Sequence, residues 1–296
     1  MIEGILVEGL IYGIVSLGVF ITFRILDFPD LTVDGSFPLG AAIMAILITN
    51  GANLWLALFI SLGGGVLAGV VTAVIHNKLK IPSLLAGILT MTMLYSINIR
   101  VLGNKANLPL LKQETILTKV TSIAGGRDEY AVLIFFIVVT VVILGIFIVF
   151  FHTDLGLTLG ALGNNEQMVI SQGANPEILK MIGVGISNGL VAVSGAFAAQ
   201  YQGFADISLG QGIIISGLAS VMIGEFLIRS NRIGLLGLRA ILGSILFKGI
   251  MYAGRYYGYY IHMTPNDLKL ITGVLIILSL VLTKFRSIRV KKRTFL

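Results

Sequence analysis

Three carboxylates crowd into Asp27-Phe-Pro-Asp-Leu-Thr-Val-Asp-Gly-Ser-Phe-Pro38, at Asp27, Asp30 and Asp34. Groups of this kind could hold a cation, such as the ammonium end of a zwitterion, or cap a helix. With two prolines and a glycine beside them, they cannot sit in one continuous membrane helix. Ser36 or Asp34 can cap a helix whose first turn contains Pro38. Two readings stay open for the segment, a capped turn at the cytoplasmic face and a polar break lining a pathway at membrane depth. Lys248 lies nine residues past Arg239 and seven before Arg255, inside an apolar run. An ammonium there either faces a cavity or a partner, or snorkels to the surface. Glu8 says less, being near an end. Asn98 with Arg100, and Asn188 in GISNGLVAVSGAFAAQYQGFAD with Gln200 and Gln202, either line a path or bond to a neighbouring helix. Tyr252, Tyr256, Tyr257, Tyr259 and Tyr260 read as a membrane-interface belt or as a recognition surface.

Covalent and metal chemistry find no support in the sequence. There is no G-x-x-x-x-G-K-[ST] loop to cradle phosphates and no serine in a nucleophile elbow. His76, His152 and His262 lack the spacing of a helical metal site, and the chain contains no cysteine. No catalytic residue and no metal ligand are expected, so the chain is not read as an enzyme.

The elements that must position these groups are membrane helices. Hydrophobic residues make up 56% of the 296, and charged residues only 12% against a usual ~25%. The mean hydropathy is +0.97. Apolar runs of about 16–23 residues match a hydrocarbon core of ~30 Å. The 36 glycines suit closely packed helices, with Gly185 and Gly189, and Gly195 and Ala199, spaced to form a contact face. Nine segments follow: Ile5–Phe23, Phe37–Thr49, Leu54–Ile75, Ile81–Leu102, Tyr130–Phe151, Met181–Ala199, Ile213–Ile228, Ile233–Ala253 and Leu268–Thr283. The fold class is therefore all-α, a polytopic bundle of about nine (eight to ten) spans in one domain. The second segment is too short to cross alone, so it takes in part of VDGS or is a broken helix. A re-entrant second segment would reduce the count to eight.

The net charge of +7 comes from Lys and Arg at segment ends, which sets orientation and gives no reason to expect nucleic acid. The tail with Lys284, Arg286, Arg289, Lys291, Lys292 and Arg293 is placed in the cytoplasm, with Arg229 and Arg232, Gly160–Lys180, and Lys78 and Lys80. The N-terminus, with Glu3 and Glu8, then falls outside and is read as a retained first helix. The loop Gly103–Glu129 lands outside despite its basic residues.

Between two apolar runs, GALGNNEQMVISQGANPEILK (Gly160–Lys180) is a polar island with helical signals at both ends. Asn164 or Asn165 can cap a short helix, Gly173 can end it, and Asn175-Pro176 can start the next. A short helix held at the membrane face suits a part that another protein pushes on.

The motifs DLTVDGSFPLGAA (Asp30–Ala42), SNGLVAVSGAFAAQYQGFADISLGQG (Ser187–Gly212), GLASVMIGE (Gly217–Glu225) and PNDLKLIT (Pro265–Thr272) carry a family resemblance over nearly the whole chain. It resembles permease subunits of ABC-type importers, in the branch that includes branched-chain amino acid and simple-sugar permeases. Within that branch it is most similar to a group associated with tryptophan, tyrosine or other small organic solutes. The resemblance implies a type II importer-like fold and a dimer of permeases. It also implies two ATPase subunits that carry ATP and Mg, and an external solute-binding protein. Gly163–Gly173 would be the coupling helix, with Asn164, Asn165, Glu166, Gln167, Met168 and Gln172 as the contact residues. Asp34, Ser36, Asn98, Asn188, Gln200 and Lys248 are the candidates for the translocation path. Asp34 could take a solute ammonium, and the half-helix after Ser36 a carboxylate. A sugar or nucleoside solute, an ion-coupled secondary transporter and a signalling protein with a docking helix are the competing expectations.

Overall fold

The computed structural model of the chain describes residues 2–123, 125, 128–228, 233–258, 270, 273, 274 and 277. Helix α1 (Ile2–Phe20) continues into a π-helical turn over Ile21–Ile25, and a non-helical stretch leads to α2 (Val33–Thr49). Then come α3 (Leu54–Leu79), α4 (Ser83–Val101), a strand β1 (Asn107–Pro109), α5 (Ile116–Ile123) and α6 (Asp128–Phe151). Two short helices, α7 (Asp154–Asn164) and α8 (Glu166–Ser171), precede the long α9 (Pro176–Gln202). After β2 (Phe204–Asp206) and a 3-10 turn, α10 (Ile213–Leu227) and α11 (Ile233–Gly258) complete the described elements.

Seven helical segments among the described residues are long and apolar enough to cross a membrane, and α2 is a shorter apolar helix. Eight of the nine expected spans thus correspond to helices, while most of Leu268–Thr283 lies outside the described residues. The second span starts at Val33, so VDGS is helical. Neither Ser36 nor Asp34 caps it: the residue before the helix is Thr32, and its side chain makes no capping bond. Pro38 sits in the second turn instead of the first, where its missing N–H frees the carbonyl of Asp34. The backbone of Gly210 packs against that carbonyl, at a point where a Cβ would stand 2.0 Å from the oxygen.

Helix α9 is the axis of the bundle. It is the most enclosed span, although it carries Ser, Asn and Gln, whereas α6 is the most apolar and the most exposed. The ordering follows from the solvent: lipid accepts bare Val, Ile and Phe, and only packed protein can pair the polar groups. Gly185 and Gly189 of α9 face Val70 and Val66 of α3, and Gly195 meets the backbone of Phe37 in α2. Ser187 and Ser194 donate to the carbonyls of Gly18 and Ile11 in α1, each at 2.7 Å.

The connection Gly103–Glu129 adds a feature that an all-α expectation omits. β1 pairs antiparallel with β2, matching Leu108 to Ala205, in a two-stranded ribbon. The amide N–H of Ile116, at the start of α5, donates to Gln200 Oε1 at 2.8 Å. Asp206 accepts from the backbone N–H of Ser208 (2.7 Å) and from Asn107 Nδ2 (3.0 Å). Partial burial pushes its carboxyl up, but the hydrogen bonds from Ser208 and Asn107 outweigh this and hold it below the usual range.

Candidate functional site

Helices α7 and α8 form a shelf across one end of the bundle. Thr153 caps α7, accepting from the N–H of Gly156 at 3.3 Å. The expected single helix Gly163–Gly173 is in fact two pieces, because Asn165 adopts an extended backbone (φ −157°). Gly163 and Asn164 close α7, and Asn165 caps α8 by accepting from the N–H of Met168 at 3.1 Å. Gly173 then turns the chain at φ +82°, a conformation that favours glycine. Asn175 caps α9 through the N–H of Glu177 (2.9 Å), with Pro176 as its first residue.

Burial sorts this shelf into anchor and face. Val169 is fully buried, as are Leu159 and Leu162 in α7. Met168 and Ile170 are 48% and 46% exposed, beside exposed Asn164, Asn165, Glu166, Gln167 and Gln172. Such a face, two apolar side chains in a polar rim, matches the anatomy of a protein contact. Glu166 pairs with Lys180 at 3.0 Å, and Lys78 of α3 with Glu177 of α9 at 3.0 Å.

The shelf bears directly on α1. A Cβ at Gly163 would stand 1.9 Å from the carbonyl oxygen of Ile25, so α7 touches the backbone of the π turn. That turn carries Arg24, which forms an ion pair with Glu225 of α10, its Nε donating at 2.6 Å. Arg239 of α11 reaches the same carboxylate at 3.2 Å and lies over the ring of Phe20 at 5.5 Å. Glu225 therefore joins α1, α10 and α11 beside the shelf. In sequence Glu225 only ends the motif GLASVMIGE, since partners 201 and 14 residues away leave no local signal of this role.

The polar break is neither a surface turn nor an open lining in this structure. Asp30 is fully buried level with the middle of α9, where Oδ1 accepts from the N–H of Thr32 (2.8 Å) and Oδ2 from Asn188 Nδ2 (2.7 Å). Ser36 donates to Asn188 Oδ1 at 2.7 Å, and Thr32 shares a 2.7 Å hydrogen bond with Thr72 of α3. Ser36 and Asn188 are thus brought together, within packed protein. Asn98 donates from α4 to the carbonyl of Gly35 at 3.1 Å and is also buried. Gln200 sits apart, under α5. Asp34 also stands elsewhere, accepting from the backbone N–H groups of Gly212 (3.1 Å) and Ile214 (2.8 Å). Its carboxylate caps the start of α10, so it is not a free receptor for an ammonium group.

Lys248 has different surroundings. It lines a cavity of about 700 Å³ between α1, α10 and α11, at the end of the bundle away from the shelf. Its Nζ lies 3.2 Å from Glu8 Oε2 and 3.3 Å from the centre of the Tyr12 ring. Tyr252 and Arg255 line the same cavity. Tyr256 and Tyr257 are exposed and do not line it, and Tyr259 and Tyr260 lie outside the described residues.

Known proteins match this architecture over most of its length. Two solved structures share the fold at low sequence identity, which speaks for the fold alone. The PsaBC complex of Streptococcus pneumoniae bound to a Fab aligns at TM-score 0.54 and 16% identity, covering 93% of this chain and 89% of that one. A metal-chelate-type ABC transporter in an inward-facing conformation aligns at 0.53 and 15%, covering 96% and 86%. A tyrosine transport system permease protein of Clostridioides difficile (strain R20291) is 38% identical over 276 residues, 93% of this chain and 89% of the relative. An uncharacterised protein of Rickettsia prowazekii (strain Madrid E) is 36% identical over 267 residues, 89% of this chain and 91% of that protein. The family model for the branched-chain amino acid transport system permease component matches residues 1–280. A helical bundle with a docked shelf, matched along nearly its whole length, thus belongs to the branched-chain amino acid transport system permease family, membrane components of ABC transporters that work with a separate ATPase.

Proposed function

We propose that this chain forms the solute path of an ATP-driven importer, pairing with a second copy of itself. An ATPase dimer, which binds ATP and Mg, grips the α7–α8 shelf, and a solute-binding protein docks at the opposite end. The shelf faces the cytoplasm, in keeping with Lys78 and Lys80 beside it, and the N-terminus of α1 faces outward. The C-terminal tail lies in the cytoplasm of a bacterial cell whose plasma membrane holds the bundle.

One observation carries this reading: α8 shows Met168 and Ile170 to solvent while Val169 anchors it and Gly163 rests on α1. A push on the exposed face reaches the π turn through backbone contact, with no flexible side chain to absorb it. Arg24 and Arg239 on Glu225 then tie that displacement to α10 and α11. Closing the ATPase pair would draw two shelves together and open the path outward, and hydrolysis would reset it. The solute we favour is a small aromatic amino acid, by likeness to the relative named for tyrosine transport.

The test is reconstitution of the chain with its ATPase and binding protein in proteoliposomes. ATP-dependent accumulation of L-tyrosine is the expected result. Uphill uptake by the lone chain, driven by an ion gradient, would refute the importer mechanism. ATP-driven uptake of a sugar or nucleoside in place of tyrosine would refute only the solute assignment.

A further inference from the structure

The cavity at the end opposite the shelf is built from single helix faces. Glu8 and Tyr12 stand one turn apart on α1, and Lys248, Tyr252 and Arg255 follow at i, i+4 and i+7 on α11. Below it the walls close, because Gly9 and Gly13 allow α1 to lie against Ile245 and Ile241 of α11. Ser216 lines the α10 side. The volume of about 700 Å³ falls within the ~300–1,000 Å³ of small-molecule sites.

The charges define what such a site can accept. Glu8 and Lys248 satisfy one another at 3.2 Å, in a wall that gives Lys248 little other solvent. A solute bearing only one charge would separate the pair and leave one partner without its counter-ion, at most cost to Lys248, whose side chain is 17% exposed against 45% for Glu8. A zwitterion can replace the contact at both ends. Its carboxylate takes Lys248, and its ammonium takes Glu8 together with the Tyr12 face that Lys248 now covers at 3.3 Å. The exchange leaves neither Glu8 nor Lys248 without a counter-ion. Tyr252 offers a ring wall alongside, and Arg255 adds a second cation about 10 Å along the helix.

We infer that the α1–α10–α11 cavity is a solute-binding station in the path, with Glu8 and Tyr12 receiving the ammonium, and Lys248 the carboxylate, of an aromatic amino acid. This rests on the importer reading and adds the recognition chemistry of the path itself. The Glu8–Lys248 pair is the resting state of the station, opened by a solute that supplies both complements.

The lack of cysteine in the chain makes a direct test clean. In the complex with its ATPase, a Ser216→Cys variant is labelled with a methanethiosulfonate, with and without L-tyrosine. Labelling should slow about tenfold at a concentration ten times the Kd. Tyramine, which lacks the carboxylate, and 3-(4-hydroxyphenyl)propionate, which lacks the ammonium, should not protect. A Ser122→Cys variant on exposed α5 serves as the unprotected control.

Glu8→Gln and Lys248→Met should each raise the KM for L-tyrosine uptake roughly ten- to a hundredfold, the worth of one charge-assisted contact. The doubly reversed variant, Glu8→Lys with Lys248→Glu, separates stapling from binding. It restores an ion pair between α1 and α11, so a purely structural pair would recover wild-type KM, whereas a binding pair stays impaired because Arg255 and the rings still fix the solute's direction. Recovery of wild-type KM, or unprotected Ser216→Cys at tyrosine concentrations that saturate uptake, overturns the site and leaves the importer reading intact. If the wild-type complex takes up no L-tyrosine, the solute assignment fails and this inference fails with it.

Discussion

Replacing Gly163 by alanine tests whether the shelf acts on α1 through backbone contact. The new Cβ would lie 1.9 Å from the Ile25 carbonyl oxygen, 2.8 Å from its carbon and 2.9 Å from the carbonyl carbon of Leu26. Ordinary contact begins at 3.4 Å, so α7 must retreat by about 3.4 − 1.9 = 1.5 Å along the worst direction. All three neighbours are main-chain atoms, and no rotamer change relieves them. Overpacking of this kind costs about 1–3 kcal/mol. Alanine also favours a helix over glycine by ~1 kcal/mol, which partly offsets the cost. Gly160 provides the control, three residues earlier on the same helix, with nothing within 4 Å of its would-be Cβ. Gly160→Ala keeps the propensity gain without the clash, so the difference between the two variants isolates the contact at about 1–3 kcal/mol. Thermal unfolding of the purified complex measures that difference, and solute-stimulated ATPase activity measures the consequence. Gly163→Ala should lose stimulation while basal hydrolysis persists, and Gly160→Ala should retain both. Equal stability and equal stimulation in the two variants would refute transmission through this contact.

Asp34→Ala removes both acceptors at the start of α10 and should destabilise the protein by roughly 3–6 kcal/mol, two charge-assisted bonds, as read by loss of folded protein in detergent. A stable, fully folded Asp34→Ala variant would show that α10 finds other partners. Glu166→Ala with Met168→Ala should change the unfolding temperature little, since the Glu166–Lys180 pair is half-exposed, while lowering solute-stimulated ATPase activity. Wild-type stimulation in that variant would count against α8 as the contact. The ribbon should respond to acid. Asp206 has a folded pKa below its unfolded value, so its stabilisation is present above the usual carboxylate range and is lost as pH falls through the folded value. Hydrogen exchange at Leu108 and Ala205 should quicken there in the wild type, and Asp206→Asn should abolish the pH response.

Helix positions were legible because the apolar runs are long and the punctuation is strong. Asn165, Gly173 and Asn175-Pro176 occupy the terminal roles their types predict, as these depend on neighbours within four residues. Even so, Met181–Ala199 understates a helix running from Pro176 to Gln202, because the polar turns at each end continue the hydrogen bonding after hydropathy has faded. What the sequence could not reveal depends on the rotation and register of whole helices. Glu8 reads as an uninformative end charge until α11 brings Lys248 beside it, 240 residues later. Asp34 looks available for solute until α10 arrives to use it. The turn at Ile21–Ile25 has no proline or glycine in it to betray π geometry.

The knot of Asp30, Ser36 and Asn188 carries a consequence for biogenesis. A ribosome completes the first two spans long before it reaches Asn188 of α9, which follows Asp30 by 158 residues. During that interval Asp30 has only the N–H of Thr32 on Oδ1; Oδ2 has no amide to meet it, and hydrocarbon offers none. The entry to α2 must therefore wait in a hydrated setting, at the translocon or the headgroup layer, and slide to its final depth once Asn188 is delivered. Membrane insertion of this bundle cannot proceed strictly span by span; its second helix is seated late, as a keystone placed after the arch around it.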